Sequence, residues 1–245
     1  MRTILLTSSA LLAVVLFAAG CLEGREACAQ EEPNLVTGIP WPDMEQADYV
    51  LLDADTDEQC GTGTLAVERQ GDQYALSLSF ENNGDSDETT VIVDAETLKP
   101  ASVRRERTIE DETEVVEGEY DEVERVIRVV ELTDGEERTI PRRLDVDNYH
   151  DNESSLFLWR TIDFTEGYEA SYDAVLVNQG GTHRQVTIRV VEKEEVTVPA
   201  GTFQAWRVEI STEDVDQVAW FTDTPEHALL QYDNSVQRFQ LTSIE

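Results

Sequence analysis

Apolar and polar residues alternate along most of the chain beyond residue 47, with the period of two that is typical of β-strands. Residues 74–80 show this alternation most clearly, and residues 63–69 precede them with a matching pattern. The intervening Gln70-Gly71-Asp72 has the length and composition of a hairpin connection, so the two segments are predicted to pair as antiparallel strands. The apolar face of the second strand carries Tyr74, Leu76, Leu78 and Phe80.

The strand pattern continues to the C terminus, with one short interruption. Interleaved β-branched and charged side chains predict strands at 114–120, 123–132 and 137–141. Further strands are predicted near 168–177, 184–193, 195–198 and 202–211. Residues 155–161 lack the period of two, and the preceding residues 151–154 offer helix-capping side chains. Strands do not alternate with helices. The sequence therefore predicts a mainly β fold, an antiparallel curled sheet or half-barrel of about a dozen strands with one short helix against it.

The chain opens with the features of a bacterial export signal. A basic start at Arg2 is followed by an apolar run over residues 4–19, which is shorter than the ~20 residues of a transmembrane helix. Residues 17–21, Phe-Ala-Ala-Gly-Cys, resemble a bacterial lipobox. The resemblance implies that residues 1–20 are a lipoprotein signal peptide and that Cys21 becomes the acylated N terminus. The protein would then be anchored outside the cytoplasm, in the cell membrane or outer membrane. An ordinary signal peptide cut nearby is the alternative.

Composition along the chain sets the expected domain boundaries. Residues 21–46 contain closely spaced prolines and no sustained period, which favours an extended tether behind the acylated cysteine. Trp41 is a candidate for packing on the domain from within this tether. Residues 47–245 are expected to form a single β domain, because their length suits one large all-β unit.

Cys28 and Cys60 are the cysteines that remain beyond the lipobox. In an oxidising compartment they would close a disulfide loop worth roughly 3–4 kcal/mol. The alternative is two free thiols, with Cys28 in the tether. The three histidines are scattered and give no ligand spacing with these cysteines, so neither a metal site nor a cofactor is expected.

The charge balance is extreme, with 52 acidic residues against 18 basic ones and a formal net charge of −34. Such a charge repels phosphate backbones, which excludes nucleic acid as a partner. It also repels anionic membrane surfaces, so membrane contact is expected through the lipid anchor at Cys21 alone. Because the acidic residues are spread along the whole chain, they favour a solvated surface suited to a salty medium. A docking face for cations or a basic partner is the alternative.

Motifs of enzyme active sites are missing from the sequence. It has no G-x-S-x-G, H-E-x-x-H or G-x-x-x-x-G-K-[ST] pattern. Residues 180–183 are rich in glycine but are predicted to form a hairpin turn between strands. Residues 53–57 begin like a calcium loop, but Glu58 and Thr64 stand where such a loop needs glycine and glutamate. We therefore expect a protein that is not an enzyme, with a hydrolase hidden among the many carboxylates as a minor alternative.

Residues 196–209 resemble the V-P-A-G-x-[FY] hairpin of a family of uncharacterised extracytoplasmic bacterial proteins. Pro199 and Gly201 are expected to form its structural turn, because proline sets φ and glycine relieves the sharp reversal. The resemblance covers about residues 60–245. Its other motifs are Cys60-Gly61-Thr62-Gly63-Thr64, the segment 93–100, and the pair Trp220-Phe221-Thr222 and Leu229-Leu230-Gln231-Tyr232.

That family is similar in architecture to the LolA/LolB-type lipoprotein carriers, which are incomplete antiparallel barrels holding a helix. The resemblance implies an apolar cavity able to take acyl chains or a lipidated partner. The expected function is a lipid-anchored binding protein that holds a lipid or other apolar ligand. A structural or protein-interaction component of the cell envelope without a ligand is the alternative. Candidate cavity-lining residues, each of which would also suit a plain core, are Leu76, Leu78, Phe80, Trp159 and Trp206.

Overall fold

The structure, a computed structural model, describes residues 35–133, 135–213 and 215–245. Over these ranges 15 strands form a single sheet, and a helix of four residues lies against it. The strands are β1 Met44–Asp53, β2 Gln59–Gln70, β3 Gln73–Asn82, β4 Asp85–Asp94, β5 Pro100–Ile109, β6 Glu112–Asp121, β7 Val126–Thr133, β8 Glu136–Arg143, β9 Tyr149–Asp151, β10 Glu169–Leu176, β11 Thr182–Val198, β12 Gly201–Ser211, β13 Asp216–Thr222, β14 Leu229–Asp233 and β15 Gln237–Ile244. The helix α1 is Ser155–Leu158, flanked by 3₁₀ turns at Asn152–Ser154 and Trp159–Thr161, and a third 3₁₀ turn is Val177–Gln179.

The sheet is built almost entirely from hairpins. Its strand order is β8-β7-β6-β5-β4-β3-β2-β1-β15-β14-β13-β12-β11-β10-β9, so β1 and β15 pair at the central seam. The pairs are antiparallel except for β9 with β10, which is parallel. The edges β8 and β9 are not bonded to each other, so the sheet is an open half-barrel. This confirms the predicted fold class.

The inner face of the half-barrel carries the apolar side of the strand alternation. In the register of β2, β3 and β4, Leu76 lies between Val67 and Val91, and Leu78 lies opposite Leu65. All of these side chains are buried. Burying one such side chain stabilises the fold by about 1.5–3 kcal/mol, so pairs of this kind hold the wall together.

The helical segment of residues 152–161 packs against the inner face of the half-barrel as a plug. Asp151 caps it, because its Oδ1 accepts a hydrogen bond of 2.8 Å from the backbone N–H of Glu153. At the other end, Arg160 donates to both carboxylate oxygens of Glu45 on β1, at 2.5 and 3.1 Å. The same guanidinium donates to the carbonyl oxygens of residues 226 and 227, at 2.9 and 3.1 Å. One arginine thus ties the plug to the first strand and to the loop before β14.

Strand boundaries differ from the prediction at two places. The strand predicted at 123–132 begins at Val126, because Val123 lies in the turn after β6 and is 95% exposed. The segments predicted at 184–193 and 195–198 form the single strand β11, whose register shifts between Val190 and Glu192. A β-bulge at that shift interrupts the period of two without ending the strand.

The folded domain begins earlier than the predicted boundary. Leu35 and Trp41 are buried in the core cluster, and Thr37 donates its backbone N–H and its hydroxyl to the carbonyl oxygen of Thr161, at 2.8 and 2.7 Å. Residues 35–46, assigned to the tether from the sequence, are therefore part of the domain. Closely spaced prolines extend a chain but do not keep it off an apolar surface. The predicted signal peptide and the rest of the predicted tether lie outside the described residues.

The two ends of the half-barrel carry different features. One end holds the β2–β3 and β11–β12 turns together with the first described residues, since the Arg69 backbone N–H donates to the carbonyl oxygen of Asp43 at 2.7 Å. The opposite end holds the β12–β13 and β14–β15 connections. The start of β1 therefore lies at the end away from those two connections.

Candidate functional site

A cavity of about 270 Å³ lies between the inner face of the sheet and the helical segment, at the end with the β12–β13 and β14–β15 connections. Small-molecule sites usually span roughly 300–1,000 Å³, so this one is near the lower limit. Its aromatic lining is Phe80, Trp159, Tyr172, Tyr232 and Phe239. Its polar lining includes Asn152, Glu153, Ser155, Arg184, Gln217 and Asn234.

The aromatic side chains form a continuous wall. Phe80 meets Phe239 edge-on, with 5.2 Å between ring centroids, and Phe239 lies 5.4 Å from Tyr232. Tyr232 is in turn 5.8 Å from Trp159. The indole N–H of Trp159 donates to the hydroxyl of Tyr172 at 3.1 Å. Rings from several strands and the plug are thus fixed by one another, which pre-forms the wall.

Two glycines of the Cys60-to-Thr64 motif make room for this wall. A Cβ on Gly63 would lie 2.6 Å from Cδ1 of Phe80, and a Cβ on Gly61 would lie 2.1 Å from the carbonyl oxygen of Glu81. Glycine at residue 63 therefore lets the Phe80 ring rest against β2 while it lines the cavity. The motif serves the close approach of two strands rather than chemistry.

The predicted lining residues divide into two groups. Leu78, Phe80 and Trp159 line the cavity. Leu76 is fully buried and packs in the core. Trp206 is half-buried at a different place, where Nζ of Lys193 lies 4.4 Å from its ring centroid. Neither Leu76 nor Trp206 belongs to the cavity wall.

Sequence reasoning missed Tyr172, Tyr232, Phe239 and Glu153 as lining residues. The alternation along β10, β14 and β15 places the three aromatic residues on the inner face. That signal could have identified them as core. It could not show that they border open space, because this depends on side chains that meet across the curled sheet.

Acidic side chains gather around one arginine beside the cavity. Arg105 on β5 donates to both carboxylate oxygens of Asp87 on β4, at 2.9 and 2.5 Å, and its Nη1 lies 3.3 Å from Oε1 of Glu153. The hydrogen bonds to Asp87 raise the pKa of Arg105, and burial raises the pKa of Glu153. Two carboxylates therefore share one guanidinium, and Glu153 is its more distant partner.

Two further buried groups titrate abnormally next to this cluster. Burial, with the charge of Glu153, raises the pKa of Asp151 to about 7, and the Tyr120 hydroxyl donates to its Oδ2 at 2.5 Å. Burial, with the charge of Lys99, lowers the pKa of His150 to about 3. Nδ1 of His150 lies 3.1 Å from a backbone carbonyl oxygen, to which the neutral ring can donate.

Asp151 and His150 make the free energy of unfolding depend on pH in opposite directions. The folded pKa of Asp151 lies above its usual value of about 4, so its stabilisation is present below pH 4 and is lost as the pH rises towards 7. The folded pKa of His150 lies below its usual value of about 6.5. Its stabilisation is therefore lost as the pH falls from that value towards 3. Between about pH 4 and 6.5 the two slopes oppose each other.

Asp151→Asn is expected to remove one of these slopes. Relative to the wild type, the free energy of unfolding of the variant should rise by about 1 kcal/mol per pH unit between about pH 4.5 and 6.5. His150→Gln should give a difference of opposite sign, and Glu153 and Arg105, which also face Asp151, are unchanged in both. Urea unfolding at several pH values measures the differences. The control is Met44→Ala, at a side chain that is 73% exposed and carries no titratable group, and a flat difference for Asp151→Asn would contradict the prediction.

The turn residues lie in hairpin connections. Pro199 and Ala200 join β11 to β12, and Gly201 follows at a φ of +142°, which favours glycine. Gly180 and Gly181 follow the Val177–Gln179 turn and lead into β11. These residues shape the backbone and lie outside the cavity wall.

The cysteines give no further site. Cys60 is half-buried, with Sγ 3.5 Å from the carbonyl oxygen of Leu51, and has no disulfide partner among the described residues. Its predicted partner Cys28 and the predicted lipidation site Cys21 lie outside them. In the ranges that the structure covers, no group of three or more His, Cys, Asp or Glu is placed to hold a metal ion. No helix in the described part of the chain has the length and apolar character needed to cross a bilayer.

Comparison with known proteins places the fold and the family. A β-barrel-like protein of the domain of unknown function DUF1849 from Brucella abortus superimposes with a TM-score of 0.53, at 12% identity, over 82% of this chain and 97% of that one. A Bacteroides fragilis protein described as exported, with a YmcC-like fold, gives a TM-score of 0.33 at 12% identity over 86% and 99% of the two chains. A Parabacteroides distasonis protein described as a lipoprotein gives 0.32 at 10% identity over 86% and 98%.

At 12% identity, the likeness to the Brucella abortus protein is evidence for a shared fold alone. Comparison with curated protein sequences gave no match. The family of proteins of unknown function DUF3108 matches residues 52–235, which is most of the half-barrel from the end of β1 to the β14–β15 connection. The chain therefore belongs to the DUF3108 family.

Proposed function

We propose that this protein is a non-catalytic binding protein that holds a small apolar or amphiphilic ligand in the cavity of its half-barrel, outside the cytoplasm and anchored through a lipid on Cys21. The observation that carries the proposal is the cavity itself. Twelve of the nineteen residues of its described lining are aromatic or aliphatic, and seven polar or charged ones, among them Asn152 and Gln217, complete it. This composition is typical of sites for small organic ligands.

The volume of the cavity limits the size of the ligand that it can hold. A volume of about 270 Å³ corresponds to roughly nine water molecules at ~30 Å³ each. One short alkyl chain or a small ring system fits this space, whereas the two chains of a diacyl lipid do not. The ligand is therefore smaller than the acyl cargo that the carrier-like architecture implies.

The polar groups around the cavity support binding rather than catalysis. Asp151 caps the helical segment, and Glu153 pairs with Arg105. The hydroxyl of Ser155 lies 2.9 Å from that of Tyr172. Each group has a partner that holds the plug or the wall, so their placement is explained without a reaction.

Mass spectrometry of organic extracts tests the proposal. The exported full chain with Cys21→Ser is purified without detergent, extracted, and then titrated with octanol while tryptophan fluorescence is recorded. We expect either a co-purified small molecule near one per protein, or a saturable signal with octanol. Ala174→Phe, or Ala174→Leu if the larger side chain prevents folding, fills the cavity and should abolish both. Finding neither an extracted molecule nor a response to octanol would contradict the proposal.

A further inference from the structure

The wall of the cavity has the chemistry of an aromatic cage. Five aromatic residues of its lining, Phe80, Trp159, Tyr172, Tyr232 and Phe239, come from four strands and the plug. Aromatic rings carry negative charge on their faces and attract organic cations, quaternary ammonium groups above all. A purely apolar cargo needs no such enrichment, because leucine and valine would bury the same area.

Glu153 brings a carboxylate to the same wall. Its side chain is 13% exposed, and its one guanidinium neighbour is Arg105 at 3.3 Å, which is already held by both oxygens of Asp87. Glu153 is therefore a carboxylate of the cavity lining whose negative charge is only partly balanced by Arg105. A cation in the cavity would offset that charge in a site of low dielectric.

Arg184 is the cationic side chain of the described lining, and it is engaged in an interaction of its own. The net charge of −34 adds a long-range field that draws cations towards the protein and repels anions.

We propose that the cavity selects an organic cation, an ammonium or quaternary ammonium group carried on a short apolar body. The aromatic wall surrounds the cationic head and Glu153 supplies the counter-charge. This inference rests on the proposed function, since it names the ligand class of the same cavity.

Calorimetric titration with probes of one chain length tests the selectivity. The probes are octyltrimethylammonium, octanol and octanoate, each below its aggregation concentration, in ~1 M salt, where the Debye length is about 3 Å. We expect the cation to bind at least tenfold more tightly than octanol, and octanoate to bind most weakly. Choline, the fourth probe, distinguishes two kinds of ligand, a small free solute and an amphiphile with an alkyl chain. Choline binding as tightly as the octyl cation identifies a small free solute, and much weaker binding identifies a chain-bearing amphiphile.

Substitutions distinguish binding of the cation in the cavity from its general attraction to the acidic surface. Glu153→Gln should weaken the cation roughly tenfold and leave octanol unchanged, and it is expected to fold because Arg105 keeps Asp87. Phe80→Leu should weaken the cation more than octanol. Glu96→Gln removes the same charge at the other end of the half-barrel and should change nothing. Thermal unfolding confirms that each variant is folded.

The outcomes distinguish the two proposals. Binding of octanol and the cation with equal affinity keeps the binding function and overturns the cation selectivity. An equal loss in Glu153→Gln and Glu96→Gln also overturns it, because surface charge then explains the preference. Failure of all four probes to bind overturns the cation selectivity, and it overturns the binding function as well when the organic extract holds no co-purified molecule.

Discussion

Arg160→Leu should lower the free energy of unfolding by about 3–5 kcal/mol. The guanidinium meets both oxygens of Glu45 at 2.5 and 3.1 Å, and the two side chains are 5% and 7% exposed. Leucine would leave the carboxylate of Glu45 buried without a counter-charge, which is where most of the loss arises. The bonds from Arg160 to the loop before β14 would be lost as well.

A double-mutant cycle identifies the cause of this loss. Glu45→Leu in the Arg160→Leu background removes the uncompensated charge and should recover a large part of the stability. Arg143→Leu is the matched control, because Arg143 pairs with Asp145 at the surface, with exposures of 75% and 73%, and such pairs contribute ~0–1 kcal/mol. Urea unfolding is measured for the wild type, both single variants, the double variant and the Arg143→Leu control. If Arg160→Leu were no more harmful than Arg143→Leu, the role assigned to the buried pair would be incorrect.

Trp41→Ala is expected to destabilise the protein by about 3–5 kcal/mol, the usual range for truncating a buried tryptophan. Trp41 is 5% exposed. Its ring packs edge-on against Tyr74 and Phe157, at 6.0 and 6.3 Å between centroids. The guanidinium carbon of Arg160 lies 5.2 Å from the same ring. Removing the indole would therefore leave a void between the N-terminal segment, β3 and the plug.

Chemical denaturation of Trp41→Ala also tests where the domain begins. Met44→Ala is the control, since Met44 is 73% exposed, and it should stay within about 0.5 kcal/mol of the wild type. If residues 35–46 were only a tether, both substitutions would be neutral. A stability of Trp41→Ala equal to that of Met44→Ala would restore the boundary predicted from the sequence.

Much of the fold could be predicted from local sequence patterns. The alternation of apolar and polar residues along each strand shows which side chains face inward and which face outward. Residues 74–80 alternate strictly and become β3, with Leu76 and Leu78 inside. Gly71, at a φ of +73°, provides the predicted hairpin turn. Neighbouring strands are joined by short turns, so the order of the sheet requires little information from distant residues.

The N-terminal boundary of the folded domain could not be predicted from such a local pattern. Trp41 lies in a segment without period, between prolines, and is buried only because β3 and the plug offer it an apolar surface. The continuity of β11 was hidden for a related reason. Its bulge near Val191 changes which side chains face inward, and a one-dimensional pattern shows this as a break.

The candidate site was predicted only in part, since a cavity is a property of packing in three dimensions. Leu76 and Leu78 are indistinguishable in the pattern, yet only Leu78 borders open space. Glu153 appeared as one of many acidic residues. Its position is set by the cap at Asp151, which turns the chain so that the next carboxylate meets Arg105.

The separation of the two ends of the half-barrel has a consequence for ligand exchange. A strand of ten residues spans about 33 Å, and the cavity lies towards the end opposite the one where the N-terminal residues join. None of residues 35–46 lines the cavity, so a ligand can enter or leave it while this N-terminal segment stays packed on the domain.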